Sequence, residues 1–249
     1  MSGRIAIAGK GGVGKSTIAA LLVRALHERT GKVVMAVDAD PNSNLGEKLG
    51  VRVERTIGDL REDLLRKADE VPVGQSKQDF VLYQMQLALV EGSSFDLLTM
   101  GRPEGPGCYC FINNILRTFI DLAMDRYDHV VIDNEAGMEH LSRRTTKRMD
   151  AFLVIADETK VGVETAVRII KLAREMGIEI GRPTLVLNKV KGYVHSSVKD
   201  IVQASPFEHV LVLPFDRDVE RASIKGRSVM ELADASQLYQ KVKALASEL

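Results

Sequence analysis

Seven short apolar runs punctuate the chain: Ile5 to Ala8, Val33 to Val37, Phe95 to Met100, Val130 to Asp133, Phe152 to Ala156, Thr184 to Leu187 and Val210 to Leu213. Each is shorter than an ordinary helix, and most are rich in Val, Ile or Leu. Strands covered on both faces read this way, because neither face meets water. Between them the spacing changes to that of helices, at Thr17 to Leu26, Ile112 to Met124, Val163 to Met176 and Gln237 to Leu245. This alternation predicts an α/β fold: a doubly wound, mainly parallel sheet of about seven strands flanked by helices. The stretch from Arg66 to Ser94 breaks the rhythm with mixed charges, Gly and Pro. It reads as an insertion, with a helix over Asp79 to Glu91, on a single domain spanning residues 1–249.

The 34 Lys and Arg balance 34 Asp and Glu, so the formal net charge is zero. A dedicated nucleic-acid binder carries a basic excess, so the balance argues against that class. The local cluster of Arg143, Arg144, Lys147 and Arg148 is read as a solvated or partner-docking face. No apolar run approaches the roughly 18 residues of a membrane span. The N-terminal stretch is too short for a signal peptide. The expectation is a cytoplasmic protein that engages neither nucleic acid nor membrane.

The first apolar run leads into Gly9-Lys10-Gly11-Gly12-Val13-Gly14-Lys15-Ser16-Thr17, a full match to G-x-x-x-x-G-K-[ST] between a strand and a helix. Glycines allow successive backbone N–H groups to turn inward around phosphate oxygens, and the helix N-terminus adds its own free donors. The motif makes this a P-loop NTPase with ATP or ADP and Mg²⁺ as expected ligands. Gly11, Gly12, Val13 and Gly14 supply the cradle. Lys15 reaches the β- and γ-phosphates, Ser16 ligates Mg²⁺ and Thr17 bonds the α-phosphate. Lys10 is a second lysine that a generic phosphate loop does not require. The spacing K-G-G-x-G-K-[ST] resembles the deviant loop of the MinD, ParA and nitrogenase iron-protein ATPases. That resemblance implies that Lys10 crosses a homodimer interface to the partner's nucleotide.

Acidic residues follow at strand ends, where open α/β sheets bind ligands. Asp38-Ala39-Asp40-Pro41-Asn42 places two carboxylates at i and i+2. Asp40 is expected to orient the attacking water, and Asp38 to serve Mg²⁺ directly or through its hydration shell. The run ending in Asp133 has the form of a Walker B strand, with Asp133 holding Mg²⁺ through water. Asn134-Glu135-Ala136-Gly137 comes next, and Glu135 stands where the wider class has Pro. Asn188, after the Thr184 to Leu187 run, offers an amide suited to an adenine edge. Pro214 begins a segment whose counterpart borders adenine in the family.

The two cysteines, Cys108 and Cys110, lie one residue apart behind a Gly- and Pro-rich stretch. Two thiolates suit a soft metal ion, but a closed zinc site needs four ligands. A two-fold dimer doubles the set. Other readings are incidental thiols or a redox pair.

The segment Gly105-Pro106-Gly107-Cys108-Tyr109-Cys110, with Asp133 to Arg143, resembles the CooC/AcsF family of nickel-insertion ATPases. Those proteins mature carbon monoxide dehydrogenase and acetyl-CoA synthase. The resemblance implies that Cys108 and Cys110 bind Ni²⁺ or Zn²⁺ at a homodimer interface, and that carbon monoxide dehydrogenase apoprotein is the client. Competing expectations are a ParA/MinD-type positioning ATPase without a metal role, an ATPase carrying an iron–sulfur cluster on the same thiols, and a regulator that binds nucleotide without turnover.

Overall fold

The computed structural model describes residues 3–66, 76–101, 118, 121–122, 126–135 and 148–249. Among these, eight strands form one sheet: β1 (Gly3–Gly9), β2 (Val34–Ala39), β3 (Val90–Glu91), β4 (Phe95–Thr99), β5 (His129–Asn134), β6 (Arg148–Ala156), β7 (Glu179–Val190) and β8 (His209–Pro214). Their order across the sheet is β3-β4-β2-β5-β1-β6-β7-β8. All neighbouring pairs are parallel except β3 with β4. The described helices are α1 (Lys15–Thr30), α2 (Leu45–Leu49), α3 (Ile57–Arg66), α4 (Lys77–Leu87), α5 (Lys160–Glu175), α6 (Ser196–Gln203), α7 (Arg217–Ile224) and α8 (Gln237–Glu248).

Each of the seven apolar runs falls on a strand, and the reason is visible in β1. Ile5 and Ile7 pack into the core shared with α1 and α8. Ala6 and Ala8 face the opposite core, which holds residues of α3, α4, α5 and α6. With helices on both sides, every position from Ile5 to Ala8 has to be apolar. The insertion departs from expectation. The helix predicted over Asp79 to Glu91 begins under the Ser76 cap, whose hydroxyl accepts from the Asp79 N–H at 3.1 Å, and ends at Leu87. Val90 and Glu91 instead pair antiparallel with Leu97 and Asp96, giving the extra edge strand. The helix predicted over Ile112 to Met124 lies mostly outside the described residues, although 118, 121 and 122 are helical.

The chain's last helix locks the first. The Arg24 guanidinium of α1 lies 4.2 Å from the centre of the buried Tyr239 ring of α8. It also donates to Glu28 at 2.8 Å, to the Leu232 carbonyl at 2.6 Å and to Asp234. Lys243 of α8 returns to Glu28 at 2.9 Å. This clasp of cation–π contact and ion pairs fixes α1. No helix among the described residues is long and apolar enough to cross a membrane.

At the end of β1 the backbone runs so close to β6 that a Cβ on Gly9 would sit 2.3 Å from the Ile155 carbonyl oxygen. Its φ of 149° is also a conformation that L side chains rarely adopt. A Cβ on Gly11 would meet nothing within 4 Å. Gly9→Ala is therefore expected to lower the ligand-free protein's stability by about 2 kcal/mol or more. Gly11→Ala should leave it nearly unchanged; equal denaturation midpoints for the two variants would refute the close-packing argument.

Candidate functional site

The loop between β1 and α1 is built from two further left-handed glycines, Gly12 at φ 80° and Gly14 at φ 100°. A Cβ on Gly14 would come within 2.6 Å of the Asn188 Nδ2. Gly14 caps α1 with no side-chain hydrogen bond, and the first turn carries no acidic residue. The helix therefore starts without a built-in cap for its first N–H groups, the arrangement that receives an anion. The loop's carbonyls are directed elsewhere. The Asn188 amide donates to the Val13 oxygen at 2.8 Å and the Lys189 ammonium to the Gly12 oxygen at 2.8 Å. Lys15, largely buried, donates to the Lys10 oxygen at 3.4 Å.

Beneath the start of α1 the strands place acids side by side. Asp38 of β2 is in register with Asp133 of β5 on one flank and Thr99 of β4 on the other. Residues two positions earlier, Ala36 and Val131, belong to the core against α1, so both carboxylates face that helix. Asp38 is fully buried, and burial first, then the neighbouring Asp133, raises its pKa to about 7. It uses one oxygen to accept from the Asp40 N–H at 3.1 Å and the other from the Leu45 N–H at 2.9 Å. Asp38 thus shapes the loop that carries Asp40. Asp40 in turn accepts from the Asn42 backbone and side chain at 2.8 and 3.0 Å.

Asp133 is as deeply buried, and both of its oxygens lack a hydrogen-bond partner. Burial raises its pKa to about 6, while the neighbouring Ser16 hydroxyl and then the Lys15 ammonium oppose that shift. An unpartnered buried carboxylate beside a serine hydroxyl and an ammonium fits a hydrated divalent cation.

These elements border a cavity of about 850 Å³ at the carboxyl ends of the strands. Of the residues singled out in the sequence, Gly11, Gly12, Gly14, Lys15, Ser16, Thr17, Asp40, Glu135, Asn188 and Pro214 lie on its wall. Lys10, Val13, Asp38 and Asp133 do not: Lys10 is exposed, Val13 turns its side chain into the core, and the two acids lie underneath. Cys108 and Cys110 fall outside the described residues. Among the described residues, no group of three or more His, Cys, Asp or Glu could hold a metal ion.

The wall also includes two lysines that sequence reasoning passed over. Lys48 comes from α2, and Lys191 lies 5.0 Å above the centre of the Phe215 ring. Asp216 caps α7 by accepting from the Asp218 and Val219 N–H groups, and it receives the Ser236 hydroxyl at 2.7 Å. An Asp before a polar helix was a readable cap signal. The Lys191–Phe215 contact was not readable, because β7 and β8 bring the two together. One N–H of the Asn188 amide is committed to Val13, which leaves its second N–H and the buried, unpartnered Oδ1 for a ligand.

The model of the CobQ/CobB/MinD/ParA nucleotide binding domain matches residues 5–229. The chain is 43% identical over 247 residues to an uncharacterized ATP-binding protein of Methanocaldococcus jannaschii, covering 98% of this chain and 97% of that one. It is 33% identical over 245 residues to the carbon monoxide dehydrogenase accessory protein CooC of Rhodospirillum rubrum, covering 93% and 91%. Among solved structures, a ParA family ATPase from Chlorobium tepidum matches over the whole of both chains at a TM-score of 0.74 and 21% identity. The MinD cell division protein of Aquifex aeolicus matches at 0.70 and 23%, covering 99% and 96%. The two structural likenesses speak for the fold.

The buried acids have a consequence for stability. Their folded pKa values of about 7 and about 6 lie above the ordinary 3.8. Between about pH 4 and 7 the folded chain keeps protons that the unfolded chain releases, so the pair's contribution is full at low pH and is lost as pH rises through that window. Asp133→Asn removes one acid and its repulsion of Asp38. Denaturation of the ligand-free variant from pH 5 to 8 should show a flatter slope and about 1 kcal/mol or more of added stability at pH 8. A slope as steep as the parent's would count against the assignment.

Proposed function

This chain belongs to the CobQ/CobB/MinD/ParA nucleotide-binding domain family and is an ATPase, and from that premise we propose that it is a homodimeric metallochaperone driven by Mg-ATP. In this reading Lys15 engages the β- and γ-phosphates, Thr17 the α-phosphate, and Asn188 and Pro214 border the base. Ser16 and Asp133 hold Mg²⁺, with Asp38 supporting the loop around it, and Asp40 orients the attacking water. Mg²⁺, when bound, neutralises charge on the phosphate oxygens.

The observation that carries the dimer is the contrast between the two loop lysines. Lys15 is buried in its own cavity, whereas Lys10 is exposed and off the cavity wall. An ammonium held outside its own site is free to enter a second one across a two-fold axis. Cys108 and Cys110 from each subunit would then meet as four thiolates and hold Ni²⁺ or Zn²⁺. The likeness to a carbon monoxide dehydrogenase accessory protein supports delivery of nickel to that apoenzyme.

The fold-level likeness to MinD and ParA proteins favours a second reading, a positioning ATPase with no metal role. Stimulation by DNA or lipid, together with indifference to Cys108→Ala, would select it.

Two measurements test the main reading. Lys10→Ala should bind ATP with nearly parental affinity but lose ATP-dependent dimerisation, and turnover should fall about 100-fold; parental turnover excludes the trans role. The parent should bind one metal ion per dimer and activate nickel-free carbon monoxide dehydrogenase with ATP present. The Cys108→Ala, Cys110→Ala double variant should do neither, and equal metal stoichiometry in the two proteins would sink the proposal.

A further inference from the structure

A loop that turns its amides inward to hold phosphate must turn its carbonyls outward, and those carbonyls need donors of their own. Here two consecutive carbonyls, Gly12 and Val13, find them in two consecutive residues, Lys189 and Asn188, at 2.8 Å each. Consecutive side chains of a regular strand point to opposite faces, so one segment should not deliver both to the same loop. The backbone shows how it does. The pairing of β7 with β8 slips between Leu187 and Val190, bracketing these two residues. Lys189 is one of two non-glycine residues with positive φ among those described, at 61°. A bulge next to a site re-aims side chains, and an L residue held in the left-handed region marks a conformation that surrounding structure imposes.

We infer that Lys189 is a positioning residue of the ATPase: its ammonium latches the Gly12 carbonyl outward and so sets the phosphate cradle before nucleotide arrives. Asn188 does the same at Val13 from a buried position, its amide occupying the space that a Cβ on Gly14 would need. Lys189 supplies the exposed half of the latch, the half that solvent would otherwise compete for. The inference rests on the ATP site alone, so failure of the thiol-metal reading leaves it standing.

The test compares Lys189→Met, which keeps the side-chain length, Lys189→Gly, which relieves the left-handed backbone, and Lys189→Arg, which restores a cationic donor. In the ligand-free protein, amide hydrogen exchange at residues 12–15 should accelerate roughly fivefold in the Met and Gly variants and return towards the parent in the Arg variant. The KM for ATP should rise about fivefold in the Met variant with kcat within about twofold of the parent. Lys189→Gly should unfold no more readily than the parent while showing the same loosened loop, which separates the latch from a general loss of structure. Unchanged exchange at 12–15 in ligand-free Lys189→Met would overturn the inference, whatever happens to ATP affinity. A fall in kcat at unchanged KM would overturn it too, by placing the lysine on the reacting groups.

Discussion

The backbone of residues 9–14 has to enclose a volume lined by its own amides, and this single requirement orders the rest of the site. It fixes glycine at Gly9, where β6 leaves no room for a Cβ, and at Gly14, where Asn188 leaves none. It leaves the start of α1 without a side-chain cap, so the ligand completes the helix. It also explains why α1 is held so firmly at its other flank. The Arg24–Tyr239 contact and its ion pairs fix the axis along which the helix presents those free N–H groups.

The carboxylates are the cost of being ready for a cation. Asp133 sits buried without a hydrogen-bond partner, and Asp38 escapes that condition by anchoring the loop of Asp40. The two acids therefore divide the work: one organises protein and the other is left for a ligand. Two buried like charges side by side are unfavourable without a counter-ion, so in the ligand-free state they draw protons instead. A divalent ion would displace those protons, which ties the electrostatics of the site to what it binds.

Much of this was legible in the sequence because the signals were local. The seven strand runs and the phosphate motif each depend on residues within a few positions of one another. The two-residue β3 was not legible: Val90 and Glu91 carry no apolar run and become a strand only because β4 offers an edge. The short helices α3, α6 and α7 went unread because they span only 10, 8 and 8 residues and α7 buries none of its own, so no apolar run marks them although their apolar positions keep a helical spacing. Asn188 was visible as a strand-end amide, but its bond to Val13 spans 175 positions and its neighbour's bond to Gly12 spans 177. The cysteine pair was legible as a motif, and its geometry lies outside the described residues.

Those two spans bear on how the protein is made. The phosphate motif leaves the ribosome well before its partners, because β1 pairs with β5 and β6, which follow more than a hundred residues later. The donors for Gly12 and Val13 arrive later still, with β7. A nascent chain ending before residue 188 carries the whole motif but lacks the partners that turn its carbonyls outward. Domains generally fold as units during synthesis, and pairings of such long separation form slowly. Competence to bind ATP therefore waits for β7, whose arrival completes the sheet around β1.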